Sequence, residues 1–124
     1  MHYYSHHIGD FTRDTSRLSD AQCMAYLRLL WMYYDTERPI PDTPAKLAFQ
    51  IGAKTEDVQA ILEHFFVFDS ESGNWVHKRC EREITEFRSK SAKASRSAKA
   101  RWENAKAMRS HNDRNADERD SDAN

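Results

Sequence analysis

Apolar residues recur at helical spacing in three stretches, each bracketed by residues that start or stop a helix. The longest begins at Ser19, an N-cap with Asp20 and Gln22 in the first turn, and runs through AQCMAYLRLLWMYYDT. Leu18 precedes the cap. Cys23, Tyr26, Leu27, Leu30, Trp31 and Tyr34 fall three or four apart and predict the buried face of a central core helix, with Tyr34 closing the core. Pro39 and Pro41 cannot continue that helix, so it ends before them. Thr43 followed by Pro44 predicts a second start, a hydroxyl cap and then proline at the first helical position. AKLAFQI follows and Gly52 stops it. Thr55 is expected to cap a third helix, TEDVQAILEHFF, with Glu56 and Asp57 favourably placed against the helix dipole and Val58, Ile61, Leu62 and Phe65 as its buried face. Only about three residues separate the second and third helices, the spacing of a helix-turn-helix.

The period then changes. Residues 66–69 (FVFD) and 75–78 (WVHK) are short β-prone runs around SESGN, a loop whose Gly and Asn suit positive φ. They predict a hairpin, hence a wing, with Trp75 packed under it. Residues 3–9 alternate weakly and suit a short strand or an extended arm, and residues 10–16 a turn or one-turn helix. From the end of the wing to residue 109 there is neither Gly nor Pro, and strong helix formers dominate. Ile84 and Phe87 should pack on the core and the remainder should project. The expected fold is mainly α: a winged helix-turn-helix domain over 1–88 with a short β-hairpin wing, a basic helical arm over 89–109, and an acidic, disordered tail over 110–124.

Charge sharpens this division. The net charge of −1 conceals three blocks. Residues 1–77 carry 6 Lys+Arg against 11 Asp+Glu, residues 78–109 carry 11 against 4, and residues 110–124 carry 2 against 5. A block of net +7 can release counterions from a phosphate backbone. With 124 residues and nearly all its aromatic residues before Phe87, the chain reads as one small domain plus a tail. Two cysteines, Cys23 and Cys80, cannot build a secreted disulfide framework. The start, MHYYSHHIGDF, lacks the apolar region of a signal peptide, and no stretch has the length of a membrane span. These features point to a cytoplasmic protein.

Candidate chemistry is sparse. His2, His6, His7, His64, and His77 with Cys80 form no good zinc pattern, since His77-x-x-Cys80 has no second such pair. The three glycines are too scattered for a phosphate loop, and no nucleophile motif or paired carboxylate stands out. The expectation is a protein without catalysis, cofactor, metal or small-molecule substrate. The helix from Thr55 would be the groove reader, yet it offers Glu56, Asp57, Gln59, Glu63 and His64, with only Lys54 before it. Its carboxylates oppose phosphates, which makes Glu56, Asp57 and Glu63 candidates for docking a basic protein partner. The arm is the stronger DNA candidate. Lys78, Arg79 and Arg82 lie at its base, and Arg88, Lys90, Lys93, Arg96, Lys99, Arg101, Lys106 and Arg109 spread around it. Ala94, Ala98, Trp102 and Ala105 form a thin apolar seam, with Trp102 placed to stack on a base.

Several blocks also resemble, as a set, the YdaU-like family of phage and prophage proteins. They are YYSHHIGDFTRDTSRLS, AYLRLLWMYYDTERPIP, LAFQIGA, FFVFDSESGNWVHKRCEREI and SAKARWENAKA, within residues 1–108. The resemblance implies a winged-helix-like domain encoded among replication genes, acting near an origin or with a helicase loader. It carries no catalytic residues. Longer relatives continue into a second domain where this chain has an acidic tail, which fits a short adaptor, a regulator or a truncated relative. The combined expectation is a phage-type DNA-binding protein of replication initiation, contacting phosphates through the arm. The alternative is a non-catalytic adaptor docking a replication protein through the acidic helix.

Overall fold

The computed structural model describes the backbone of residues 1–119 and the side chains of residues 1–108. It is mainly helical, with one small antiparallel sheet, and divides into two compact units. The first, Met1–Ile84, holds the core. In order it contains α1 (Ile8–Thr15), α2 (Asp20–Thr36), β1 (Ile40–Pro41), α3 (Pro44–Ile51), α4 (Thr55–Phe65), β2 (Val67–Asp69), β3 (Asn74–Val76) and the first turns of α5 (Lys78–Arg119). The second unit, from Thr85, is the rest of α5. The helix therefore reaches into the segment expected to be a disordered acidic tail, as far as Arg119, and residues 120–124 of that segment lie outside the described residues.

Local signals account for most of these boundaries. Ser19 and Gln22 form a reciprocal capping box at the start of α2. Pro44 sits at the start of α3, and Gly52 ends it at φ +72°. A Cβ at Gly52 would lie 3.2 Å from the Arg28 guanidinium, which donates to the Ile51 carbonyl at 2.6 Å. Gly73, also at φ +72°, closes the hairpin, and the Asp69 side chain accepts from the Glu71 N–H and the Ser72 hydroxyl.

Other expectations are corrected. Thr43 makes no side-chain cap bond, and Thr55 already lies inside α4, whose cap position is Lys54. Of the two alternatives for residues 3–9, no strand forms over 3–7, and α1 starts at Ile8 and lasts two turns. The sheet has three strands, in the order β1-β3-β2, because Ile40 and Pro41 pair with Trp75 and Asn74. Phe66 is buried, whereas Phe65 is only half-buried.

The buried face of α2 is rotated from the expected one. Ala25, Tyr26, Leu29, Leu30, Tyr33 and Tyr34 are buried, Cys23 and Leu27 are intermediate, and Trp31 is 47% exposed. Apolar residues lie all round this helix, so its sequence does not single out one face. The face is selected by α3 and α4, which add Leu47, Ala48, Ile51, Val58, Ile61 and Leu62 to the same cluster. Trp75 is partly buried against that cluster, edge-on to Phe68, with its indole N–H donating to Asp42 at 3.0 Å. Phe87 belongs to the second unit and is half-exposed, not a core residue.

Candidate nucleic-acid interface

Helix α5 begins directly after β3, and its first turns are fixed by what they bury. Cys80 and Ile84, four apart, belong to the core of the first unit. Between them, Tyr33 donates its hydroxyl proton to Glu81 and Tyr34 donates its own to Glu83. Glu83 also meets His7 Nε2 at 2.6 Å, and Arg79 pairs with Asp10 at 3.0 Å. Asp10 is held below the usual carboxylate range, first by its hydrogen bond from Arg13 and then by the Arg79 charge.

His77 is buried beside this lattice. Its Nδ1 accepts the Cys80 N–H at 3.3 Å, so the neutral ring carries its proton on Nε2 and donates to the Tyr26 oxygen at 2.9 Å. Burial, reinforced by the Arg79 charge, pushes its pKa down to about 4. Burial pushes the Cys80 thiol up to about 12, so it is neither nucleophile nor thiolate ligand near neutrality. Among the described residues no group of three His, Cys, Asp or Glu side chains is placed to hold a metal ion.

The basic residues therefore separate into two classes. Arg79 is half-buried and paired with Asp10, unlike the other cations at the base of the arm. Lys78 and Arg82 are exposed. Along the second unit, Arg88, Lys90, Lys93, Arg96, Lys99, Arg101 and Lys106 are all exposed. Arg101 donates to the Ser97 carbonyl one turn back, while Lys90, Lys93, Arg96, Lys99 and Lys106 have no ion-pair partner among the described residues. The Arg109 side chain lies outside the described residues. At 3.6 residues per turn, Lys93, Arg96, Lys99 and Lys106 occupy about 140° of arc, and the seam of Ala94, Ala98, Trp102 and Ala105 occupies the opposite side. Trp102 is exposed and Ala105 intermediate.

On α4, Glu56 and Glu63 are exposed and Asp57 is half-buried, and Glu63 accepts from Gln59 at 2.7 Å. A groove of about 660 Å³ on this unit is lined by Arg17, Leu18, Ile61, His64 and Phe65 among others. The pairings of His7, Asp10, Tyr33 and Tyr34 with residues 79–83 were missed in the sequence. Their only trace was that both sides fall in the blocks YYSHHIGD, WMYYDT and WVHKRCEREI.

Comparison with known proteins gives a consistent picture. Residues 2–85 match a family described as "Protein of unknown function (DUF1376)". The chain is 36% identical over 99 residues to "Uncharacterized protein YdaU" of Escherichia coli (strain K12), covering 79% of this chain and 34% of that protein. It thus spans about a third of the length of this curated relative. No solved structure matches. Among the described residues, no helix is long and apolar enough to cross a membrane.

Proposed function

The chain belongs to the YdaU-like DUF1376 family, and from that premise we propose that it is a phage- or prophage-type DNA-binding protein of replication, gripping phosphates through the basic length of α5. The observation that carries this reading is the run of exposed cations on α5, five of them without a carboxylate partner among the described residues. Solvated, unpaired cations keep their full charge for phosphates and release counterions when they find them. The first unit supports it in two ways. Its order α2-β1-α3-α4-β2-β3, with β3 central in the sheet, is compatible with a winged helix-turn-helix, the fold on which this reading relies. Its buried polar residues are hydrogen-bonded to side chains of other elements, which suits a scaffold for the arm. Trp102 is exposed, and the same reading assigns it a stacking contact with an unpaired base.

A second reading rests on a different observation. The exposed part of α4 presents Glu56 and Glu63 where a groove-reading helix would need donors. We assign that face to a basic protein partner, such as a replication protein, with Asp57 at its margin. Anisotropy of labelled single- and double-stranded DNA, titrated with the full chain at two salt concentrations, tests the main reading. A steep salt dependence is expected, and binding insensitive to salt would overturn it.

A further inference from the structure

Elsewhere on the first unit, Tyr3, Tyr4, Trp31, Tyr34 and Asp35, together with Met1 and His2, line a cleft of about 300 Å³. Trp31, Tyr34 and Asp35 come from one side of α2, at spacings of three and four. Tyr3 and Tyr4 come from the segment before α1. Tyr4 is stacked on Tyr34, with centroids 4.4 Å apart and planes at 17°. The Trp31 indole N–H donates to the Tyr4 hydroxyl at 3.0 Å, which also meets His6 Nδ1 at 3.2 Å. Three rings are therefore held in fixed positions. Tyr3, 88% exposed, is the fourth. The α-ammonium of Met1 is already paired with Glu37 at 3.1 Å, whereas Asp35 has no ion-pair partner among the described residues.

We propose that this cleft binds a cationic side chain, an arginine presented by a partner protein. Ring faces attract cations, tryptophan most strongly, and a guanidinium is the cation that can both stack on a ring and bridge to a carboxylate. The exposure of Trp31 and Tyr3 explains the choice of a side chain over a free metabolite. A small ligand needs enclosure on most sides, whereas a residue carried on a protein surface needs only an open cleft. This site is independent of the phosphate-binding reading of α5 and requires a different ligand.

The test uses the full chain and N-acetyl-arginine methylamide as probe, read from the indole N–H resonances of the three tryptophans, with Trp31→Phe serving to identify the Trp31 signal. A saturable shift of the Trp31 indole is expected, with a Kd on the order of millimolar. The citrulline analogue, neutral and nearly isosteric, should bind at least about tenfold more weakly. Tyr3→Ala and Asp35→Asn, both at exposed positions, should each weaken binding about threefold. Equal affinity for citrulline, equal shifts at Trp75 and Trp102, or no saturable shift would overturn the site. Choline binding more tightly than the arginine probe would overturn the assignment to a protein side chain.

Discussion

Neutralising one side of α5 tests the phosphate reading quantitatively. Lys93, Arg96, Lys99 and Lys106 are all exposed, share one arc of the helix and have no ion-pair partner among the described residues. Replacing all four with Gln removes four charges while leaving helix propensity nearly unchanged, because Gln, Lys and Arg are close neighbours on that scale. If each cation meets one phosphate, the slope of log Kobs against log salt should fall by about 3.6 on duplex DNA and about 2.8 on a single strand. Over a fourfold change in salt, 3.6 units of slope amount to roughly a 150-fold difference in how far affinity drops. The assay is anisotropy of a labelled oligonucleotide between about 50 and about 200 mM salt. Circular dichroism of wild type and variant checks that α5 persists. A slope within about one unit of wild type, with helicity intact, would refute the assignment of phosphate contacts to this side.

Further outcomes follow from the core and from α4. Leu29→Ala should cost about 2–5 kcal/mol, since Leu29 is fully buried, whereas Trp31→Ala should cost under about 1.5 kcal/mol because the ring is half in solvent; denaturant midpoints decide between them. His77 has a folded pKa of about 4 against an ordinary 6.5, so the unfolded chain binds its proton first as pH falls. Its contribution is full above about pH 6.5 and is lost toward pH 4, roughly 3 kcal/mol in all, and urea melts across that window should show the slope for wild type and a reduced one for His77→Gln. Changing Glu56, Asp57 and Glu63 to Gln, Asn and Gln should leave DNA affinity within about tenfold, about 1.4 kcal/mol; a larger gain measured by anisotropy would bring α4 to the duplex.

Much of the chain's punctuation was readable from sequence where one or two residues decide a boundary, although the hydroxyl caps expected at Thr43 and Thr55 do not form. The Ser19–Gln22 box, Pro44, Gly52 and the Gly73 turn are all local, and each is found where its chemistry places it. The basic arm was equally plain, because charge and the absence of Gly and Pro need no tertiary information. The α2 face was not readable, since Leu27, Trp31 and Met32 are as apolar as the residues that α3 and α4 select. Strand β1 was hidden because two residues ending in proline give no alternating pattern. The commitment of Arg79 to Asp10 was hidden for another reason: the partners are 69 positions apart, and only the fold brings them together. The aromatic cleft at Trp31 escaped for the same reason as the α2 face, because an exposed tryptophan looks in sequence like a buried one.

The continuity of α5 has a thermodynamic consequence. Helix nucleation is the costly step, with a statistical weight on the order of 10⁻³, while propagation adds one hydrogen bond per residue fixed. Here the first turns are already formed by the burial of Cys80 and Ile84, so the basic length grows from an existing nucleus. Severed from that root, the same residues would have to start a helix alone and would be helical for a smaller fraction of the time. Any change that loosens the seat of Cys80 or Ile84 thus reaches the cations through a shift in the helix–coil equilibrium, without altering one of them.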